Sequence, residues 1–177
     1  MTLVKTVSPQ EATGTVAAVY EHTNTALGRI PNAMRILSSS PDLLQQTAAQ
    51  LGYYFAHPTL SFPLLAFIRL AVSTRMQCAY CMGMNESMLI NRAGFTPEQV
   101  ADAKFDPGTA PLPEKELAML LCVVKGTAAP KTVERADLDR LRALGWTDRD
   151  IVDGLYHGAR NVASDIMFDA LKIENDF

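Results

Sequence analysis

Apolar positions along the chain recur at spacings of three and four, and strand-length alternation does not compete with them, so the pattern predicts helices throughout. Ser8-Pro9-Gln10-Glu11 has the form of a capping box with Pro at the first helical position and predicts a helix to about Thr23. Ile30, Met34 and Leu37 predict a short helix over Pro31–Leu37, Ser38-Ser39-Ser40 a turn, and Ser40-Pro41-Asp42 the cap of a helix to about Phe55. His57-Pro58-Thr59 breaks the chain, because a residue before Pro is pushed out of the α region. The helix predicted from about Ser61 to Thr74 carries Leu64, Leu65, Phe67, Ile68, Leu70, Ala71 and Val72, apolar on nearly every side. A helix of that kind belongs at the centre of a bundle.

Next comes a helix over Cys81–Arg92 that ends at Gly94, then a second capping box at Thr96-Pro97-Glu98-Gln99. The loop from Asp106-Pro107-Gly108 to Pro113 precedes a helix over about Glu114–Lys125. Two more helices follow, from Thr132 or Glu134 to Leu144, and from Thr147 to Lys172. In the last of them Ile151, Leu155, Ala159, Val162 and Ile166 predict the buried stripe. The expectation is an all-α fold in a single domain, 1–177, with no internal repeat.

Composition narrows the function classes. The 177 residues suit one domain, and 48% hydrophobic with 20% charged residues supplies a core. Sixteen Lys and Arg against nineteen Asp and Glu, scattered along the chain, leave no basic footprint for nucleic acid. The N-terminus shows no secretory signal pattern, and Phe62–Val72, the longest apolar run, is too short for a membrane span and contains Arg69. A cytoplasmic protein with no membrane partner is expected.

Candidate chemistry sits at Cys78-Ala79-Tyr80-Cys81. Two cysteines three apart at a helix start share a face and are close enough for a small-ring disulfide. The helix N-terminus also favours thiolate, more so at the earlier cysteine. Two buried core cysteines are the plainer alternative; zinc needs three or four ligands, and no second C-x-x-C or H-x-x-x-H supplies them. Cys122, among apolar neighbours, reads as a core hydrophobe.

Leu70-Ala71-Val72-Ser73, Cys78-Ala79-Tyr80-Cys81, Asn85 and Asn91-Arg92-Ala93-Gly94-Phe95-Thr96 resemble the core of the AhpD-like alkylhydroperoxidase and carboxymuconolactone decarboxylase superfamily, in its peroxidase-related branch. The resemblance extends upstream to Ile30-Pro31-Asn32-Ala33 and Ser40-Pro41-Asp42-Leu43-Leu44. Downstream it reaches Leu155-Tyr156 and Asn161-Val162-Ala163. It implies an AhpD-like helical bundle with its redox C-x-x-C core at about 61–105, and a homo-oligomer, trimer or hexamer. The implied activity is a thiol-dependent peroxidase taking a hydroperoxide substrate, with Cys81 attacking, Cys78 resolving, an external dithiol or protein reductant, and no cofactor or metal.

The family's Glu twelve residues before the first cysteine and His four after the second are Ala66 and Asn85 here, and neither titrates near neutrality. Losing such a relay costs about 10²- to 10⁴-fold in rate. Arg69 could hold a thiolate or pair with a carboxylate; Tyr80 could donate to a substrate oxygen or pack; Asn85 could hydrogen-bond a sulfur or a water. Glu86 reads as a surface acid, and His22, His57 and His157 as surface or interface residues, His157 lying opposite the apolar stripe. Met76, Met82, Met84 and Met88 suggest a soft apolar pocket or core packing. The alternatives to a peroxidase are a redox sensor without turnover and a small-molecule-binding scaffold of the same fold; lactone decarboxylation does not require a dithiol.

Overall fold

The computed structural model describes residues 2–177, and among them the regular structure is helical, with no strand. The helices are α1 (Gly14–Leu27), α2 (Asn32–Arg35), α3 (Pro41–Phe55), α4 (Phe62–Met76), α5 (Ala79–Asn91), α6 (Pro97–Phe105), α7 (Glu114–Ala128), α8 (Arg135–Ala143) and α9 (Asp148–Ala170). The chain forms two compact units: residues through His57 with Phe168–Asp176, and Pro58–Met167 with Phe177.

In the first unit α1 packs on α3, burying Val16, Val19, Tyr20, Leu44 and Tyr54. The Tyr20 hydroxyl donates to the Val7 carbonyl at 2.9 Å, and the Val7 N–H donates to the Ser38 hydroxyl at 2.8 Å. Ser8-Pro9-Gln10-Glu11 does not open α1, contrary to expectation. The Ser8 hydroxyl donates to the Glu11 carboxylate at 2.6 Å instead of accepting from a backbone N–H, and the segment closes as a turn; the helix starts only at Gly14. α2 starts at a Pro that offers no capping side chain, and Asp176 takes that place, its carboxylate accepting from the Asn32 N–H at 2.6 Å.

In the second unit α4 is the central element, packed against α5, α6 and α7. Its all-round apolar character is matched by burial from Leu64 to Ile68 and from Leu70 to Ser73, and the Ser61 hydroxyl caps its first turn by accepting from the Leu64 N–H at 3.2 Å. The Thr96–Gln99 capping box forms as predicted, with both reciprocal bonds present. Thr147 and Asp150 open α9 in the same way: the Thr147 N–H donates to the Asp150 carboxylate at 2.9 Å, and the Asp150 N–H to the Thr147 hydroxyl at 3.2 Å.

α9 buries a different face from the one its apolar spacing predicts. Ile151 is inside, but Leu155 and Val162 are half-buried, and Ala159 and Ile166 are exposed. The buried positions are Gly154, Gly158, Asn161 and Asp165, each one residue earlier, so the helix is rotated by about 100°. The two glycines explain the rotation. A Cβ on Gly158 would lie 2.4 Å from Val123 Cγ1 and 3.2 Å from Thr127 Cγ2, and one on Gly154 would lie 2.9 Å from Met119 Sδ. Their lack of side chains lets α9 approach α7 closely, and that gain outweighs burial of the larger stripe.

Gly158→Ala therefore destabilises the protein: overpacking of about 1–3 kcal/mol exceeds the gain in helix propensity of about 1 kcal/mol. Gly154→Ala meets a flexible thioether and is close to neutral. Urea unfolding of the two variants, both retaining the helical spectrum, measures the difference.

Candidate redox site

The C-x-x-C is presented by the sharp turn between α4 and α5. Gln77, with φ of 59°, takes the left-handed conformation and ends α4, so the chain reverses within two residues. The Cys78 N–H then donates to the Ser73 carbonyl at 3.1 Å, and the Cys78 carbonyl accepts from the Met82 N–H at 2.9 Å. Cys78 is thus the N-cap of α5, and Cys81 sits in its first turn. Both thiols are free and buried, Cys78 completely and Cys81 with 5% exposure.

A carboxylate completes the cluster. Sγ of Cys78, Sγ of Cys81 and a carboxylate oxygen of Asp165 lie within 4.8 Å of one another. Asp165, wholly buried on α9, is held by two donors: the Ser73 hydroxyl to Oδ1 at 3.0 Å and the Asn161 amide to Oδ2 at 3.0 Å. The same amide donates to the Ser73 hydroxyl at 2.8 Å, so Ser73 on α4 and Asn161 on α9 orient the acid between them. None of these three roles is expected from the sequence pattern. A signal existed in His157, Asn161 and Asp165, three polar residues at intervals of four beside Gly154 and Gly158.

A buried cation also acts on Cys81. Arg69 Nε donates to Asn85 Oδ1 at 2.7 Å, Nη2 to Met88 Sδ at 3.8 Å, and Nη1 is 3.2 Å from His157 Nε2. None of these partners is a carboxylate, so the expected alternative of a carboxylate partner is not what holds Arg69. A guanidinium only donates, so a His157 Nε2 that bonds it carries the lone pair. His157 is buried, with Nε2 also 3.3 Å from the Leu65 carbonyl, which corrects its assignment to the surface; the rotation of α9 brings it inside. Asn85 contacts neither sulfur through its amide, which spans Arg69 and the Cys81 carbonyl, the latter at 2.8 Å.

Electrostatics at Cys81 run opposite to the expectation from its helix position. Its hydrogen bond with Cys78, then burial, then the charge and hydrogen bond of Asp165 push the thiol well above the usual range. Burial lowers Arg69 from its ordinary value to about 10, with Cys81 opposing and Arg160 adding to the shift, so the guanidinium stays charged at neutral pH.

The remaining candidates separate readily. Tyr80 is buried with its ring edge-on to Phe177, centroids 5.6 Å apart, a packing role. Glu86 pairs with Lys104 at 2.6 Å near the surface, and His22 is exposed. His57 lies against the rings of Tyr53 and Tyr54. Ala66 is fully buried, and Cys122 is a buried thiol on α7, raised chiefly by burial. Cys78, Cys81 and Asp165 are also the three donors that a metal ion could use, one short of a closed tetrahedral set.

No family model matches the sequence, and no curated protein does. Solved structures do. An AhpD-core, uncharacterized peroxidase-related protein from Ralstonia eutropha JMP134 superposes with a TM-score of 0.86 at 21% identity, over 99% of this chain and 92% of that one. The chain has the AhpD-like fold. A second uncharacterized peroxidase-related protein of this kind, from Silicibacter sp. TM1040, aligns with a TM-score of 0.81 at 23% identity, over 90% of this chain and 84% of that one. The debrominase Bmp8 aligns with a TM-score of 0.80 at 18% identity, over 99% of this chain and 93% of that one. A cysteine-to-alanine variant of Bmp8 is also known in complex with 2,3,4-tribromopyrrole. At these identities the AhpD-like likeness establishes architecture, and the chemistry has to be argued from the site.

The raised Cys81 thiol has a consequence for stability. The folded chain keeps this proton above the pH, near 8.5, at which an unfolded thiol releases it, so the folded state binds more protons there and stability falls as pH rises. Urea unfolding between about pH 7.5 and about pH 9.5 is expected to show this loss, up to about 1.4 kcal/mol per pH unit above the unfolded thiol's pKa. Cys81→Ser flattens most of the slope and leaves the smaller part due to Cys122.

Proposed function

We propose that the protein is a dithiol oxidoreductase of the alkylhydroperoxidase type, in which Cys78 and Cys81 pass two electrons to a hydroperoxide and an external dithiol restores them. The observation that carries this reading is the pair of free thiols, buried, with their sulfurs within 4.8 Å at the N-terminus of α5. Attack by the Cys81 sulfur breaks the O–O bond and leaves a sulfenic acid and an alcohol. Attack by Cys78 then forms the disulfide and releases water, so two thiols and one hydroperoxide give one disulfide, one alcohol and one water. Arg69, whose partners include no carboxylate, supports the reading by supplying positive charge that acts on Cys81 as its thiolate develops.

A reducing compartment such as the cytoplasm fits a dithiol that must be regenerated. Exposed Val152, Tyr156 and Ile166 on α9 give an apolar face for a homo-oligomer, trimer or hexamer.

The likeness to Bmp8 favours a second reading in which the same dithiol meets a different electron acceptor. A brominated heteroaromatic would take the electron pair and a proton, with carbon–bromine cleavage giving bromide and the disulfide. Both readings use the same two sulfurs and differ in the product released.

One equivalent of an organic hydroperoxide is expected to remove two thiols per chain in the wild type, leaving Cys122 titratable, while Cys81→Ser consumes no peroxide and keeps its helical spectrum. Unchanged peroxide consumption in Cys81→Ser overturns the dithiol reading. Bromide release from a bromopyrrole with no reaction toward hydroperoxides favours the second acceptor.

A further inference from the structure

Attack by Cys81 requires its proton to go somewhere, and the residues expected to take it are absent. Ala66 and Asn85 do not titrate, and the Asn85 amide is occupied by Arg69 and the Cys81 carbonyl. Arg69 is a cation at neutral pH, and His157 Nε2 faces the Arg69 guanidinium and the Leu65 carbonyl instead of a sulfur. Asp165 is different in kind: a carboxylate oxygen lies within 4.8 Å of both sulfurs, and the acid is held in place by Ser73 and Asn161. A carboxylate fixed by two donors and set beside a thiol is oriented as a proton acceptor.

We propose that Asp165 is the catalytic base for Cys81, taking the thiol proton during attack and returning it to the departing oxygen. The proposal rests on the dithiol reading above and adds its proton path. As the S–O bond forms and the O–O bond breaks, the Cys81 proton moves to an Asp165 oxygen and then to the alkoxide, which leaves as the alcohol. In the second step Cys78 attacks the sulfenic acid, the S–S bond forms, and the hydroxide leaves with the Cys78 proton as water. Electrons come from the two thiols and end on the hydroperoxide oxygens, and the external dithiol reduces the disulfide for the next cycle.

This assignment resolves a conflict in the site. A fixed negative charge beside a nucleophilic thiol opposes formation of the thiolate at rest, and as a mere neighbour it would slow the reaction. As a base it removes the proton only in concert with attack, so the charge that opposes a standing thiolate assists the transient one. The groups that bear on its titration are Cys78 at the α4–α5 joint and Cys81 on α5; from α4 come Ser73 directly and Arg69 through Cys81, and from its own helix Asn161, with Arg160 acting on Arg69.

The test sets two signs against each other in Asp165→Asn. Thiolate absorbance is expected to show Cys81 ionising at lower pH than in the wild type, while the rate with tert-butyl hydroperoxide falls on the order of 10²- to 10⁴-fold. A rate that rises with the thiolate fraction, or does not change, overturns the proposal, because a charge without a proton-transfer role would give that result. Should Asp165→Asn lose its helical spectrum, the wild type decides. Its peroxide rate is expected to persist at pH values where Cys81 absorbs as thiol. A rate that follows thiolate absorbance alone overturns the proposal. A wild type that leaves the hydroperoxide intact overturns the dithiol reading itself, whereas an active wild type matched by Asp165→Asn overturns only the role of Asp165.

Discussion

The close approach of α9 to α7 and α4, made possible by Gly154 and Gly158, is the constraint on which the candidate site depends. With side chains at those positions α9 would stand away from its neighbours, and His157, Asn161 and Asp165 would face outward. With glycines there, three polar residues enter the interior, and each has to find partners among the groups already present. They find Arg69, Ser73 and the two thiols. Packing thus dictates the chemistry of the site, since the same contact that closes the helices together carries a carboxylate to the sulfurs.

Much of the fold was legible because helix ends carry local chemistry. The Thr96–Gln99 box makes the bonds its sequence suggests, and the apolar surround of α4 leads to its central place. Ser8-Pro9-Gln10-Glu11 shows the limit of that logic, because side chains matching a capping pattern can bond each other and leave the backbone uncapped. For α9 the hydrophobic spacing favoured the wrong face by one residue. Apolar periodicity measures what a helix gains by burying large side chains, and it is blind to what a helix gains by having none.

The site was legible in part for the same reason. Cys78 and Cys81 are close together through local geometry alone, three residues apart at a helix start, and Arg69 comes to them from the preceding helix. Asp165 is more than eighty residues further along, and no local rule joins it to them. The partial charge of a helix end favours thiolate, but the hydrogen bond with Cys78, burial and the nearby Asp165 together outweigh it. The sign of the effect at Cys81 was therefore set by tertiary structure.

The protonated state of Cys81 also bears on durability. Sulfur proceeds from sulfenic to sulfinic and sulfonic acids through repeated attack by its ionised form, and those later products are not recovered by ordinary thiols. Under the proposed dithiol chemistry, a Cys81 that rests as a buried thiol with Cys78 already within 4.8 Å spends little time in any state open to that damage. On the dithiol reading proposed above, the arrangement trades speed on first encounter for survival through many.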